Sequence, residues 1–315
     1  MVSRRIRKAL LLRSLTRHYP TRRGTGVLAP AIDAIARGRL PDSALSSERA
    51  VAPRGRWNPD LALDLDHAFQ RQIFYFTPAF GHGYLSGGGP AVLARFLAPG
   101  GTFVDIGASL GFYTFLAARR VGANGRVHAF EPEPVAYDSL RASAALPGHE
   151  CVRCHPLALS DAPAAAMTFH LSTVGNSHSL VSEAPGHSGR YRAAIQVEVE
   201  TIDRLRRSRR LAADRVDLVK IDVEGNEAAV VAGMTETLET WRKPPLYIET
   251  RGPEGSTRSP DTFRRLLEIL EPRGYRSYLV DRRGASRPVS VGKVRTWADV
   301  LFATEPPSSG SSAPR

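Results

Sequence analysis

The sequence predicts an α/β domain built on a doubly wound, mostly parallel sheet. Two observations carry that expectation. From about residue 92 onward short apolar runs alternate with helical stretches, and several of the runs end in an acidic residue. Strands of that kind belong to sheets that helices cover on both faces. A third observation is the glycine turn at Gly107 and Gly111, directly after the first run, where the backbone can pass tightly from strand to helix.

Taken in order, Thr102–Ile106 reads as a buried strand and Tyr113–Val121 as the helix after the turn. Arg126–Phe130 reads as a second strand closing on Glu131-Pro132, followed by a helix over Val135–Ala145 and a third strand over Val152–Leu157. Short strands at Met167–Leu171 and Ile195–Val199 flank a Gly/Ser/His-rich loop at 175–190. A strand at Val216–Ile221, a helix at Asn226–Leu238 and a strand at Leu246–Ile248 follow. The stretch Asp261–Pro272 sets Phe263, Leu266, Leu267 and Leu270 on one helical face. Tyr275–Val280 and Val300–Ala303 are expected to close the sheet as an antiparallel pair.

The chain of 315 residues carries a net charge of +12, unevenly placed. Residues 1–32 hold eight basic residues and no acid, so the body is nearly neutral and the high isoelectric point says little about nucleic acid. Two cysteines exclude a disulfide scaffold and suit a reducing, cytoplasmic setting. No apolar run approaches the length of a spanning helix. Three regions follow: a basic extension over 1–60, partly disordered or amphipathic, a catalytic domain over 61–305, and a disordered Pro/Ser/Gly-rich tail over 306–315. Within the extension, residues 1–25 place Ile6, Leu10, Leu11 and Leu15 among arginines. They read as a disordered tail, as a helix lying on the anionic inner face of a membrane, or as an organelle presequence.

The run Val104-Asp-Ile-Gly-Ala-Ser-Leu-Gly-Phe112 delivers Asp105 at the edge of a strand, where ligands of open α/β sheets bind. The dinucleotide pattern needs a glycine where Ser109 stands, and the Gly-Lys-Ser/Thr of a phosphate loop is absent. A glycine turn with a carboxylate and no device for pyrophosphate suits a cationic or uncharged nucleoside, with S-adenosylmethionine (SAM) as the candidate. Glu131, 20 residues after Gly111, stands where a carboxylate accepts from both ribose hydroxyls. Asp161 is placed to reach the adenine amino group, with loop capping an equal alternative.

The run Val219-Lys-Ile-Asp-Val-Glu-Gly-Asn-Glu227 puts Lys220, Asp222 and Glu224 at the end of the fourth strand, with Asp222 and Glu224 on one face if the chain stays extended. Glu227 falls in the first turn of the next helix, and Glu249 brings a further acid to the same edge. A divalent metal held by Asp222, Glu224 and Glu249 is an alternative, since hard cations take carboxylate oxygens. Acidic clusters at strand ends often act without metal, and no metal ligand is assigned.

These blocks resemble the FkbM family of SAM-dependent methyltransferases. The resemblance runs through Phe103-Val-Asp-Ile-Gly-Ala-Ser-Leu-Gly-Phe-Tyr-Thr114, Ala129-Phe-Glu-Pro-Glu-Pro134, Ala158-Leu-Ser-Asp161, Val199-Glu-Thr-Ile-Asp-Arg-Leu205 and Val219–Glu227, about residues 80–250. Ser109 departs from the family's usual Asn. The resemblance implies a class I, Rossmann-like methyltransferase with a seven-stranded sheet that binds SAM through Asp105, Gly107, Ser109, Gly111, Glu131, Pro132, Asp161 and Asp222. It implies methylation of a hydroxyl on a sugar, glycan, glycolipid or natural-product acceptor.

Methyl transfer to oxygen needs a group that takes the hydroxyl proton. Asp222 or Glu224 is expected to be that base or to orient the acceptor, Glu249 stands third and His178 is an outsider. Lys220 would keep the carboxylates ionised or polarise the acceptor. The loop at 175–190 is expected to shape the acceptor pocket, or to be plain surface. Two other readings are a nucleic-acid methyltransferase, suggested by Arg204, Arg206, Arg207, Arg209 and Arg210, and a non-catalytic membrane-associated binding protein on the same fold.

Overall fold

A computed structural model gives the fold and describes residues 49–51, 60–64, 70, 88–172, 180, 191–251, 262–281, 284–290, 292–294 and 297–307. The expected basic helix, His178 and the tail from residue 308 lie outside the described residues, as does the 175–190 loop apart from Leu180. The chain divides into two compact units, residues 1–86 and 87–315. In the first, β1 (Arg49–Val51) pairs antiparallel with β2 (Ala62–Asp64), and Leu61, Ala62 and Leu63 are buried.

In the second unit, α1 (Gly89–Phe96) precedes β3 (Thr102–Ile106), α2 (Phe112–Val121), β4 (Arg126–Phe130), α3 (Pro134–Ala144) and β5 (Val152–His155). The chain then leaves the main sheet for β6 (Ala158–Leu159), β7 (Ala164–Ser172), β8 (Tyr191–Glu200) and α4 (Ile202–Arg207). It returns through β9 (Leu218–Ile221), α5 (Glu227–Ala232), α6 (Thr235–Thr240) and β10 (Leu246–Arg251). The last elements are α7 (Thr262–Leu270), β11 (Arg276–Val280), β12 (Ser286–Pro288) and β13 (Trp297–Ala303).

The main sheet runs β12-β11-β13-β10-β9-β3-β4-β5. Strands β10, β9, β3, β4 and β5 are mutually parallel, and β13 is antiparallel to both β10 and β11. The sheet is doubly wound and mostly parallel, as the sequence predicts, but it has eight strands instead of seven. The extra one, β12, is an edge strand of sequence Ser-Arg-Pro with no apolar alternation to announce it. The β7/β8 segments, longer than expected, form a separate three-stranded sheet with β6. Their polar residues alternate with the apolar cluster of Phe169, Leu171, Val197 and Val199, the pattern of an antiparallel sheet packed on one face only.

Neighbouring residues of each parallel strand serve different faces. Val104, Ile106, Val219, Ile221, Leu246 and Ile248 join the side chains of α4 to α7 in one large apolar core. The α7 residues Phe263, Leu266, Leu267 and Leu270 are at most 4% exposed, as their helical spacing requires. The opposite face, under α2, carries Asp105, Lys220 and Tyr247, whose register partners are each other. Strand order reverses between β3 and β9, which opens a crevice at their C-terminal ends.

The single helix expected over Asn226–Leu238 is two, α5 and α6, because tertiary contacts start the second one afresh. Asp203 of α4 accepts from the backbone N–H groups of Glu236 and Thr237 at 3.3 and 2.7 Å, capping a fresh helix start. At the junction Gly233 approaches Ser160 so closely that a Cβ would lie 2.0 Å from its carbonyl oxygen. At the start of α4, the Thr201 hydroxyl accepts from the N–H of Arg204 at 3.1 Å. Thr201→Ala is expected to cost about 1 kcal/mol in urea denaturation, with the midpoint lowered and the slope unchanged. Among the described residues no helix is long and apolar enough to cross a membrane.

Candidate active site

Two rows of side chains cross the sheet at the crevice. In the lower row Asp105 of β3 lies beside Lys220 of β9, and Lys220 beside Tyr247 of β10. One pleat nearer the strand ends, Asp222 and Glu249 directly follow the paired residues Ile221 and Ile248, and Glu249 pairs in register with Asp299 of β13.

Lys220 ties the rows together. Its Nζ lies 3.6 Å from Asp105 Oδ1 and 3.2 Å from Asp222 Oδ2, donates to the Gly107 carbonyl at 3.3 Å, and sits 5.1 Å from the centre of the Tyr113 ring. Burial works against the ammonium, but Asp222 and Asp105 outweigh it and hold the lysine above its ordinary value. Asp105 is fully buried, and its other oxygen accepts from the Thr114 hydroxyl of α2 at 2.6 Å. Burial pushes that carboxyl up, with Lys220 and Thr114 opposing. Asp105 thus supports the turn from beneath.

The turn itself is wound by three left-handed residues at alternate positions, Gly107 (φ +76), Ser109 (φ +51) and Gly111 (φ +89). The N–H groups of Gly107 and Ala108 both donate to the Phe130 carbonyl at 3.0 Å, and the Ser109 N–H donates to Glu131 Oε2 at 2.8 Å. Glu131 Oε1 accepts from the Glu133 N–H at 2.8 Å. The carboxylate therefore staples the turn to the end of β4 while each oxygen keeps a lone pair for a further donor. Burial pushes Glu131 up to about 7, against the pull of those two N–H groups. Pro132 follows it, half-buried.

Asp222 is half-buried, and its N–H donates to the Ile106 carbonyl at 3.0 Å. The expectation that Asp222 and Glu224 share an extended face fails, because β9 ends at Ile221 and Glu224 turns left-handed at φ +53, followed by Gly225 at φ +107. Glu227 is buried at the start of α5, where Oε1 accepts from the Gly225 N–H at 2.8 Å and fixes that turn. Burial pushes it up to about 7. Asp161 is exposed and accepts from the Ser160 hydroxyl at 3.1 Å. Nearby, the Asn226 side chain donates to the Leu159 carbonyl at 3.0 Å, tying the turn after β9 to β6.

Four residues of this site escape the sequence reading: Tyr113, Thr114, Tyr247 and Asp299. Tyr113 packs edge-on to Tyr247 with ring centres 6.2 Å apart, and Gly89 of α1 leaves no room for a Cβ against the Tyr113 ring. Tyr247 could have been found, since it precedes Glu249 by two in the same strand and so shares its face. Burial, then Asp222, Asp299 and Glu224, push Glu249 up to about 8, with Lys220 opposing. Burial likewise lifts Asp299 to about 6, against the Tyr247 hydroxyl beside it. Among the described residues no three His, Cys, Asp or Glu side chains converge as metal ligands.

The crevice thus offers a left-handed turn, a carboxylate at the end of β4 and a row of acids, with the buried Lys220 ammonium already shared between Asp105 and Asp222. That arrangement can hold a nucleoside bearing positive charge and take a proton from an acceptor beside it. It has no cation to spare for a pyrophosphate among the described residues.

A model of the methyltransferase FkbM domain matches residues 105–277. The chain is 31% identical over 179 residues to the methyltransferase sdnD of Sordaria araneosa, covering 48% of this chain and 67% of that one. Solved structures similar to it include a SAM-dependent methyltransferase from Aquifex aeolicus (17% identity, TM-score 0.37, 69% of this chain and 90% of that one). Another is the O-methyltransferase TomG of Streptomyces achromogenes, involved in tomaymycin synthesis and solved with SAM (15% identity, TM-score 0.38, 69% of this chain and 78% of that one).

Proposed function

This chain belongs to the FkbM methyltransferase family, and from that premise we propose that it methylates a hydroxyl of a sugar, glycan, glycolipid or natural-product acceptor with SAM as donor. The observation that carries the reading is the left-handed turn 107–111, stapled to β4 by Glu131 at the reversal of strand order.

Bound SAM supplies an electrophilic methyl group on a sulfonium. Gly107 and Gly111 let the turn close against the end of β9 and against Phe115 and Leu140, Glu131 accepts from the ribose hydroxyls, and the turn after β6 with Asp161 flanks the base. Asp222 and Glu224 complement the sulfonium charge, and Glu249 faces the acceptor side. A hydroxyl is a poor nucleophile until its proton leaves, and this acidic row holds groups able to receive it. The arginines behind the nucleic-acid alternative belong elsewhere. Arg204, Arg207 and Arg210 form ion pairs with Glu200, Glu236 and Glu198, around the helix that packs on the sheet's other face.

Calorimetric titration with SAM and S-adenosylhomocysteine tests the reading. Glu131→Ala is expected to weaken SAM binding by about 10- to 100-fold, the worth of one or two charge-assisted hydrogen bonds. Because burial holds Glu131 near 7 in the free protein, its proton competes with the ribose. Affinity is therefore expected to fall by about tenfold from pH 8 to pH 6, and Glu131→Gln to flatten that dependence. Folded wild-type protein that binds neither ligand would defeat the proposal.

A further inference from the structure

We propose that Glu249 takes the acceptor's hydroxyl proton and that Asp299, opposite it on β13, is a positioning residue that keeps Glu249 basic. The inference rests on the methyl-transfer reading above. In the step itself, the hydroxyl oxygen bonds to the methyl carbon while the carbon–sulfur bond breaks with its electron pair going to sulfur. The hydroxyl proton passes to the Glu249 carboxylate.

Glu249 and Asp299 are direct register partners of an antiparallel pair, so both side chains leave the same face. Their Cβ atoms are then about 4.5–5.5 Å apart, close enough for the carboxyl groups to meet. That face is the one carrying Lys220 and Tyr247, and Glu249 stands level with Asp222 at the lip of the crevice. The charged and titratable groups around it come from every adjoining element. Asp222 and Glu224 come from the turn after β9, Lys220 from β9, Tyr247 from its own strand, Asp299 from β13 and Tyr113 from α2. Asp222 is already held in an ion pair, with the Lys220 ammonium 3.2 Å from its Oδ2. Glu249 instead faces three other carboxyl groups, each of which makes its ionised form costlier and so its affinity for a proton greater. A half-buried carboxylate of raised basicity is what a hydroxyl acceptor requires near neutral pH.

The test labels the glutamate carboxyl carbons of the full chain with carbon-13 and follows the Glu249 resonance, identified by its loss in Glu249→Gln, against pH. Wild-type protein is expected to titrate near pH 8, and Asp299→Asn about one pH unit lower or more. Asp299→Glu keeps the charge and is expected to restore the wild-type midpoint, which separates coupling from misfolding. Turnover is read as tritiated methyl passing from SAM to the fraction of a small-molecule cell extract that wild-type enzyme labels. Glu249→Gln is expected to lower kcat about 100-fold or more while SAM affinity, by calorimetry, stays within about twofold. In Asp299→Asn the acid limb of the kcat profile is expected to move down with the NMR midpoint. An ordinary midpoint near pH 4.5 in wild-type protein, or one that Asp299→Asn leaves in place, overturns the proposal, as does near-wild-type kcat in Glu249→Gln. Failure of wild-type protein to bind SAM counts instead against the methyl-transfer reading, and the NMR midpoints still decide the coupling.

Discussion

Gly107→Ala is expected to abolish SAM binding and to cost about 4 kcal/mol of stability or more, through two additive effects. The residue sits at φ +76, where any Cβ meets its own carbonyl at a cost of about 1–2 kcal/mol. An added Cβ would also lie 1.8 Å from the carbonyl oxygen of Asp222, so the turn and the end of β9 could no longer lie together. Gly100 supplies the control, having φ +79 and nothing within 4 Å of the same added atom. Gly100→Ala is expected to lose only the dihedral contribution, about 1–2 kcal/mol, and to bind SAM normally. Urea denaturation and calorimetry on the two variants separate the clash from the strain. Equal losses in both would show that the approach to Asp222 matters little.

Lys220→Met is the second large effect. It removes the ammonium that neutralises a fully buried Asp105, leaving a carboxylate that, among the described residues, keeps the Thr114 hydroxyl as its partner. Breaking a buried pair from one side costs about 3–5 kcal/mol. The loss is expected to depend on pH, because Asp105 can escape by binding a proton. Its folded-state value, already raised by burial, rises further without the lysine, while in the unfolded chain it stays near the ordinary aspartate range. The folded state then holds more protons, so the variant is most stable at low pH and loses stability as pH rises through the folded value. Adding Asp105→Asn to Lys220→Met is expected to recover most of the loss at pH 8. Thermal melts of the single and double variants between pH 5 and pH 8 check this, and a loss that is flat with pH would refute it.

The parts of this site that can be read in the sequence are those whose cause is local. The run Thr102–Ile106, the turn with Gly107 and Gly111, and Glu131 at the end of β4 announce themselves through apolar runs and spacing. Contacts that depend on tertiary register do not. Asp299 lies in β13, 50 residues beyond Glu249, and only their pairing makes them neighbours. Thr114 looks like one more residue of α2 until the helix is laid across β3 and its hydroxyl reaches Asp105. The face shared by Asp222 and Glu224 fails because period-2 reasoning assumes an extended chain, and Glu224 is left-handed. Ser109 is also left-handed, a conformation that Asn tolerates better than Ser, which gives a physical basis for the family's usual residue there.

Strand β13 runs between β10 and β11, although both precede it in the chain. During synthesis, then, the nascent polypeptide presents two open ladders whose common partner has yet to be translated. Until residues 297–303 arrive, β10 and β11 are exposed templates for pairing with one another or with a neighbouring chain. Asp299 arrives on that same strand, so the ribosome delivers the partner of Glu249 and the closing strand of the sheet in one event. A chain cut short before Trp297 would lack both, and its raw edges would make it a candidate for chaperone capture rather than a slower enzyme.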